Sequence, residues 1–269
     1  MSVSSGYWRD LTTADFAALD AERTVALLPI AAIEQHGPHL PVSVDSAINE
    51  ALVNAAVHRA PPDPVLLALP MQSVGYSIEH MRFPGTVSLS ADTLARICVD
   101  IGDAVAAAGL RRFLIFNSHG GQTQIMRTVI RELRARHGML AVAASWFDLV
   151  DLSDLFEAPE LSHGIHAGAV ETSVMLHIAP ERVRMELAGD FPSAGCAVAE
   201  NSAHLTATAK VQFGWEAQDL HPSGAVGDAA QADAERGRIA FERGVDGLLR
   251  LVRDIARFDL TALRPGPRQ

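Results

Sequence analysis

Three separate segments of the sequence carry histidine and acidic side chains at spacings that suit a divalent metal. In the first segment, Glu34 and His36 stand two residues apart, so their side chains project to one side if the backbone is extended. Asp45 follows after a turn that contains Gly37 and two prolines. Two carboxylates and an imidazole that converge can hold a divalent ion, and a bridging Asp45 would allow two. The alternative is a polar loop in which Asp45 caps the next helix.

The second segment is a histidine followed by two glycines, His119, Gly120 and Gly121, directly after a predicted strand. Two glycines permit close approach of a ligand to the backbone and leave amide donors pointing outward. The glycine patterns of dinucleotide-binding and P-loop proteins are absent from the sequence, which disfavours a phosphate site. This segment alone leaves two interpretations open, a functional histidine and a structural turn.

The third segment joins His166 to Glu171 across the predicted start of a helix. Glu171 lies in an otherwise apolar stretch, where an unpaired carboxylate would be costly to bury. A cation or an arginine would remove that cost. The alternative is an exposed glutamate in the first helical turn, where the helix dipole favours it. If the helix begins near Ala167, His166 and Glu171 share one face only loosely.

A fourth segment, 75–86, is a loop with a cluster of charged residues, and such loops commonly shape substrate pockets. The predicted substrate-binding residues are Ser77, Glu79, His80, Gly120, Gly121 and Trp146. The alternative for the loop is a surface turn whose charges are solvated. The alternative for Trp146 is a core position at the end of a strand.

Alternating apolar and amphipathic segments predict the elements that position these residues. The predicted strands are Thr24–Ile30, Pro64–Pro70, Arg112–Asn117 and Met139–Trp146. The predicted helices are Leu11–Ala21, Ser46–Ala60, Ala91–Ala108, Thr123–His137, Ala167–Ile178 and Asp228–Ala256. Short apolar strands that alternate with longer helices favour an α/β fold, a mostly parallel sheet sandwiched between helices. In such a sheet, ligands bind beyond the carboxyl ends of the strands.

Length, charge and cysteine content limit the classes of function. A chain of 269 residues suits one large domain, 1–269, with a sizeable core. The formal net charge of −10, with no basic run, disfavours nucleic-acid and anionic-membrane partners. Two cysteines, Cys98 and Cys196, are too few for a disulfide framework or a thiolate zinc cluster. Because no signal peptide or membrane span is recognisable, we expect a cytoplasmic protein.

Taken in order, four motifs resemble those of the creatininase family of metal-dependent amidohydrolases. They are Glu34-x-His36-Gly37-Pro38-His39-Leu40-Pro41 with Asp45, Ser77-x-Glu79-His80-Met81-x-Phe83-Pro84-Gly85-Thr86, Asn117-Ser118-His119-Gly120-Gly121-Gln122 and His166-Ala167-Gly168-x-x-Glu171-Thr172-Ser173. The resemblance extends from about Leu27 to Phe241 and so covers most of the chain. Four motifs in one order are far more specific than any one of them, and they favour the metal interpretation.

The resemblance implies a binuclear metal centre on a single-domain αβα sandwich, assembled as a homohexamer. The implied ligand sets are Glu34, Asp45 and His119 for one ion and His36, Asp45 and Glu171 for the other. His166 would transfer the proton, and Glu171 would belong to the catalytic residues as well as to the ligands. Nitrogen and oxygen ligands without cysteine suit Zn²⁺, Mn²⁺ or Fe²⁺. The implied partner is a small-molecule amide.

Three positions depart from the family pattern. Creatininase carries a metal-binding carboxylate at the position of Gly121, and Ser118 and Gln122 replace the usual Gly and Asn. The glycine pair resembles the broader family, including deformylase-like members and the peptide-processing enzyme of the mycofactocin pathway, in which the counterpart of Glu171 is the expected substitute ligand. We therefore predict hydrolysis of a small, non-peptide or cyclic amide other than creatinine. The alternatives are a peptidase that trims a modified peptide and a non-catalytic metal-binding member of the family.

Overall fold

The computed structural model describes residues 4–208 and 211–266, which contain a five-stranded parallel sheet. Its strands are β1 (Gly6–Tyr7), β2 (Thr24–Ile30), β3 (Val65–Ala68), β4 (Arg112–Asn117) and β5 (Leu140–Ser145). Their spatial order is β1–β3–β2–β4–β5, and every neighbouring pair is parallel. The predicted α/β fold is confirmed. The sequence did not predict β1, because two residues are too few to show a strand pattern.

Nine α-helices lie in the described part of the chain. They are α1 (Thr13–Ala17), α2 (Val44–Arg59), α3 (Ala91–Ala107), α4 (Thr123–His137), α5 (Ala158–His163), α6 (Ala169–Ile178), α7 (Ala194–Glu200), α8 (Ala217–Leu220) and α9 (Ala234–Arg257). A small antiparallel ribbon pairs β6 (Asp190–Phe191) with β7 (Gly227–Asp228). Every helix in the described ranges is too short or too polar to span a lipid bilayer.

Helices cover both faces of the sheet, because successive strand residues point to opposite faces. Along β2, Val25 and Leu27 are buried in a cluster that includes side chains of α2, α6 and α9. The alternate residues Ala26 and Leu28 are buried in a second cluster with side chains of α3 and α4. The sheet is therefore the middle layer of an αβα sandwich, with a core on each face.

The strand order reverses between β2 and β4, which opens a crevice at the carboxyl ends of these two strands. From β2 the chain crosses through α2 to β3 in one direction, whereas α3 and α4 lead to β4 and β5 in the other. All of these crossovers have the same right-handed sense, so those that run in opposite directions along the sheet place their helices on opposite faces. Accordingly, α2 lies on one face of the sheet, and α3 and α4 lie on the other. A ligand site is therefore expected just beyond Ile30 and Asn117.

The first turn of α2 differs from the prediction in a way that concerns the site. The helix begins two residues before the predicted Ser46, and Ser43 occupies the N-cap position. Asp45 is therefore a buried residue of the first helical turn, and the alternative role of Asp45 as N-cap is wrong. The positive end of the helix dipole lies beside its carboxylate.

The predicted starts of the last two long helices are also wrong. α6 begins at Ala169, two residues after the predicted Ala167, because Ala167 has a φ of 55°, which is incompatible with a right-handed helix. α9 begins six residues after the predicted Asp228, where the side chain of Asp233 accepts the backbone N–H of Arg236 as a cap. The segment before this cap forms β7 and a short 3₁₀ turn.

Candidate metal centre

Glu34, Asp45 and His119 meet beyond the carboxyl ends of β2 and β4. Each offers one ligand atom, and the three atoms lie within 4.8 Å of one another. All three side chains are buried. Within the described structure, both carboxylate oxygens of Glu34 and Oδ2 of Asp45 have no hydrogen-bond partner. Because buried carboxylates are costly without a counter-charge, this group has the composition and the unsatisfied charge of a cation site.

The backbone of Tyr76 orients the ring of His119 toward these carboxylates. Nε2 of His119 lies 2.8 Å from the Tyr76 carbonyl oxygen, which can only accept, so Nε2 donates. Nδ1 lies 3.2 Å from Oε1 of Glu34 and 3.7 Å from Oδ2 of Asp45. Gln122 Oε1 accepts the Tyr76 backbone N–H at 3.0 Å and holds this segment in place. A ring oriented through one nitrogen and available through the other is typical of metal ligands.

His36, Asp45 and Glu171 form a second group of the same kind, again within 4.8 Å. Nδ1–H of His36 donates to the carbonyl oxygen of Glu34 at 3.0 Å. Nε2 lies 3.7 Å from Oδ1 of Asp45 and 3.8 Å from Oε2 of Glu171, and it has no hydrogen-bond partner among the described residues. Asp45 thus offers one oxygen to each group, as a bridging ligand would.

His166 lies against both groups. It forms a third candidate set with Glu34 and His36. Its Nε2–H donates to the carbonyl oxygen of Gln35 at 2.6 Å, which leaves Nδ1 3.6 Å from Oε1 of Glu34. Burial, reinforced by the nearby His36, holds the pKa of His166 well below its usual range. The ring is therefore neutral at pH 7, and Nδ1 is a proton acceptor at the edge of the cluster.

Several pKa values shift because the cluster concentrates negative charge in a buried place. Burial disfavours the charged form of His36, but the Asp45 and Glu171 carboxylates outweigh burial and raise its pKa to about 9. The same balance, with Glu34 as the main partner, raises the pKa of His119 to about 10. Burial, together with the Asp45 charge, raises the pKa of Glu171 to about 7. Imidazolium groups thus supply positive charge that a divalent ion can supply instead.

The loop between β3 and α3 places His80 against Glu34. Nδ1 of His80 accepts a hydrogen bond from Nε2 of Gln35 at 2.7 Å, so Nε2 of His80 carries the proton and lies 3.4 Å from Oε1 of Glu34. Burial lowers the pKa of His80 to about 4. The ring also stacks on His166 with centroids 4.3 Å apart. His80 therefore contacts the candidate ligand Glu34. Its predicted role in binding a substrate stays a prediction.

Glu79 occupies the space that a side chain at position 121 would need. A Cβ on Gly121 would lie 1.9 Å from Oε1 of Glu79, and that oxygen lies 3.6 Å from Nε2 of His119. Burial raises the pKa of the Glu79 carboxyl. Gly120 and Gly121 are themselves exposed, so the loop after β4 leaves an open edge beside a candidate ligand. In this conformation a carboxylate at position 121 and the Glu79 side chain exclude each other.

The other two predicted pocket residues, Ser77 and Trp146, are buried. Oγ of Ser77 has no hydrogen-bond partner in the described ranges, and its backbone N–H donates to Ser88 at 2.8 Å. Trp146 is 3% exposed and belongs to the core cluster formed with α2, α6 and α9. Trp146 therefore has the surroundings of a core residue, the alternative that its strand-end position left open.

Gln35 is a site residue that the sequence analysis left unassigned. Its Oε1 accepts the backbone N–H of Gly37 at 2.8 Å. Its Nε2 donates to the carbonyl oxygen of Gly224 at 2.9 Å and to His80. Gln35 therefore fixes the backbone between two candidate ligands. The available signal was its position between Glu34 and His36 on an extended segment, where it must point away from both.

Asn49 and Ser118 are two further residues whose role was missed. The fully buried Asn49 donates from Nδ2 to the carbonyl oxygens of Ile30 at 2.9 Å and Phe116 at 3.1 Å, and so spans the ends of β2 and β4. Oγ of Ser118 donates to the carbonyl oxygen of Asp45 at 2.7 Å. These hydrogen bonds join residues 19, 67 and 73 positions apart, so no local spacing in the sequence indicated them.

Comparison with known proteins assigns the chain to a family. Residues 9–252 match the creatininase family model, which is described as creatinine amidohydrolase. The chain belongs to the creatininase family. It is therefore a creatininase-family hydrolase, and the resemblance predicted from four motifs is confirmed over a longer part of the chain than those motifs span.

The relatives of this chain include enzymes that act on different substrates. A mycofactocin precursor peptide peptidase from Mycobacterium ulcerans strain Agy99 is 32% identical over 266 residues, which cover 96% of this chain and 93% of the relative. A creatinine amidohydrolase from Pseudomonas putida is 27% identical over 262 residues, which cover 91% and 95%. A solved manganese creatininase is 25% identical, with a TM-score of 0.74 and coverage of 93% of this chain and 98% of that one.

Proposed function

We propose that this chain is an amidohydrolase that cleaves a C–N amide bond with a water molecule activated at a binuclear metal centre. The pair of ligand groups joined through Asp45 is the observation that carries the proposal. Unpartnered buried atoms on Glu34, His36 and Asp45 belong to these groups. The donor set of imidazole and carboxylate, without thiolate, fits Zn²⁺, Mn²⁺ or Fe²⁺.

The protein supplies the ligands, their orientation and a proton carrier. Two divalent cations, when bound, lower the pKa of a water molecule and polarise the carbonyl group of a substrate. His166 is neutral, and we assign to its Nδ1 the acceptance of the proton from water and its delivery to the departing nitrogen. Glu171, the other proposed catalytic residue, accepts the backbone N–H of Ala167 at 2.6 Å and so keeps its place near His36.

A small, non-peptide or cyclic amide other than creatinine is the substrate class that we propose. Among the five candidate ligands only Glu171 has a partly exposed side chain, at 19%, so access to the centre is narrow. Narrow access favours a compact scissile group. Gly121 supports a substrate other than creatinine. Creatininase has a carboxylate at this position, whereas here the side chain of Glu79 occupies the corresponding space.

A peptidase that trims a modified peptide is the second candidate function. The identity of 32% to a mycofactocin precursor peptide peptidase, over 96% of the chain, favours it. The exposed glycines at 120 and 121 also favour it, because a backbone edge without side chains can accept an extended peptide. Both candidates require the same centre and the same proton carrier, so they differ only in the substrate.

One experiment tests the centre and separates the two substrate classes. The protein is stripped with a chelator, reconstituted with Mn²⁺, Zn²⁺ or Fe²⁺, and assayed on lactams, linear small amides and short peptides. Metal-dependent turnover of compact amides supports the first candidate, and turnover confined to peptides supports the second. Glu34→Gln and Asp45→Asn should lose bound metal, whereas the exposed control Glu181→Gln should keep it. No metal-dependent turnover, with unchanged metal content in both site variants, would contradict both candidates.

We also propose that the chain acts as a cytoplasmic homo-oligomer, a hexamer by resemblance to its family. Ile78, Met81 and Val87 are each more than half exposed, at 57%, 51% and 51%, around the loop that follows β3. Exposed apolar side chains within one short segment of the chain favour an interface with another chain. Light scattering coupled to size-exclusion chromatography tests this: a monomer of 28.7 kDa at micromolar concentration would contradict it.

A further inference from the structure

Glu160 in α5 lies outside the four sequence motifs, yet its carboxylate binds the start of the helix that carries Glu171. Oε1 accepts the backbone N–H of Ala169 at 2.6 Å, and Oε2 accepts that of Asp228 at 2.9 Å. Ala169 is the first residue of α6, and the N-cap residue Gly168 has no side chain with which to cap the helix. One carboxylate therefore joins the start of α6 to β7.

Three glycines surround this carboxylate so closely that none of them could carry a side chain without displacing it. A Cβ on Gly164 would lie 2.4 Å from Cδ of Glu160, and one on Gly168 would lie 2.3 Å from Oε1. A Cβ on Gly227 would lie 2.9 Å from Oε2, and this residue has a φ of 134°, which few residues other than glycine adopt. We call these four residues the Glu160 clamp.

The clamp brackets the segment that carries His166. Gly164 and Gly168 stand two residues before and two residues after His166. The backbone of His166 pairs with Val226 in both directions, with N–O distances of 3.2 Å and 2.7 Å, directly before Gly227 of the clamp. The segment is thus fixed at both ends and along its middle.

The same segment orients Glu171. Ala167 adopts a φ of 55°, a conformation that a residue with a Cβ keeps only where its surroundings enforce it. In this conformation its N–H points at Oε2 of Glu171, at 2.6 Å. Gly168, the next residue, lies so close to Glu160 that a Cβ on it would be 2.3 Å from Oε1, so the segment that holds Ala167 borders the clamp.

We propose that Glu160 is a positioning residue that holds Glu171 and His166 in place at the metal centre. This inference rests on the proposed function, since it assigns Glu160 to the support of one ion. Glu160 reaches both residues through the backbone of 164–169 and is not itself a member of any candidate ligand group in the described structure. Loss of the clamp should therefore weaken the ion held with Glu171 and spare the ion held by Glu34, Asp45 and His119.

The test is a titration of metal-free protein with Mn²⁺ alone, followed by calorimetry. Glu160→Gln keeps the shape of the side chain but turns one acceptor into a donor that faces a backbone N–H. We expect wild type to bind two ions, and Glu160→Gln to bind one with unchanged affinity and the other about 10- to 100-fold more weakly. Glu171→Gln, which removes a ligand of the same ion, provides the reference pattern. Glu157→Gln, an exposed change at the N-cap position of the same helix, whose side chain makes no capping hydrogen bond, should leave both affinities unchanged.

Each outcome separates the role of Glu160 from the proposed function. Two ions with wild-type affinities in Glu160→Gln, or an equal loss of both, would overturn the role of Glu160 and leave the metal centre intact. Fewer than two ions in wild type would overturn the binuclear centre itself. If Glu160→Gln does not fold, judged by circular dichroism, Gly168→Ala replaces it. The added Cβ would lie 2.3 Å from Oε1 of Glu160, and selective weakening of the same ion is expected again.

Discussion

Asp45 offers Oδ1 toward His36 and Oδ2 toward His119, each at 3.7 Å, so one substitution tests both ion positions. We predict that Asp45→Asn loses both ions, because an amide nitrogen cannot accept and the bridging charge is gone. Glu171→Gln should lose one ion. Elemental analysis of dialysed, Mn²⁺-loaded protein measures the stoichiometry, with the exposed Asp190→Asn as the matched control. Retention of two ions in Asp45→Asn would contradict the shared ligand.

The two histidine ligands make ion binding depend on pH. In the metal-free protein the pKa of His36 is about 9 and that of His119 about 10, because neighbouring carboxylates outweigh burial. At pH 7 both rings are protonated and must lose a proton before a ring nitrogen binds an ion. We predict proton release on binding and an apparent affinity that rises from pH 7 toward about 10, where the second ring loses its proton. Calorimetry in buffers of different ionisation enthalpy measures this, and a pH-independent affinity would contradict it.

At the scale of residues, the sequence predicted which side chains form the site better than it predicted their hydrogen-bond partners. The resemblance to the creatininase family implied the five candidate ligands, which the structure brings together in two groups. Gln35 stands between two of these ligands, but the sequence did not indicate its hydrogen-bond partners. Glu160 carried no signal of its role, because a carboxylate that supports a ligand has no characteristic spacing from it. The hydrogen bond of Gln35 to Gly224, for example, joins residues 189 positions apart.

At the scale of elements, the close crossing of α6 and α9 depends on a glycine. A Cβ on Gly237 would lie 1.8 Å from the carbonyl oxygen of Ser173, a backbone atom that cannot move aside alone. We predict that Gly237→Ala lowers the free energy of unfolding, since overpacking costs about 1–3 kcal/mol and the gain in helix propensity returns only about 1 kcal/mol. Denaturant unfolding measures the change.

Gly244 on the same helix provides the control. A Cβ there would lie 2.9 Å from Cδ2 of Leu52, the end of a flexible side chain that can rotate away. Gly244→Ala should therefore cost less than Gly237→Ala. Equal stabilities of both variants and wild type would contradict the close crossing.

Long elements were predictable and short ones were not. The bounds of β2, β4 and α4 are those predicted, because each has an uninterrupted apolar run or helical period. The ribbon of β6 and β7 has two residues in each strand and is held by long-range pairing that leaves no local pattern. The start of α6 was missed because Ala167 adopts a left-handed backbone conformation that its residue type does not indicate.

At the scale of the whole molecule, the five ligands come from four segments of the sandwich, so ion binding should stabilise the entire fold. Glu34 and His36 follow β2, Asp45 begins α2, His119 follows β4 and Glu171 lies in α6. We predict that chelation lowers the unfolding temperature of wild type. The loss corresponds to about 4 kcal/mol where the free ion exceeds its Kd about 1,000-fold. Thermal unfolding of Asp45→Asn should be insensitive to chelator, and an equal response of both proteins would contradict this.

The reversal of strand order explains why the centre lies where it does. The chain leaves β2 and β4 toward helices on opposite faces of the sheet, so ligands that follow both strands can meet at this edge, and Asn49 spans the two strand ends. The alternation of strands and helices was sufficient to predict this edge of the sheet as the place of the site. The strand order itself follows from packing among the whole set of helices, which no local segment encodes.

Turnover of an amide by the same protein sample, before and after metal removal, tests the central claim most directly. We predict that chelated protein loses hydrolysis of its amide substrate, that Mn²⁺ or Zn²⁺ restores it, and that Asp45→Asn stays inactive under both conditions. His166→Ala should retain both ions and lose turnover, since it removes the proton carrier and none of the five ligands. Undiminished turnover by fully metal-free wild type, or by metal-loaded Asp45→Asn, would contradict the account.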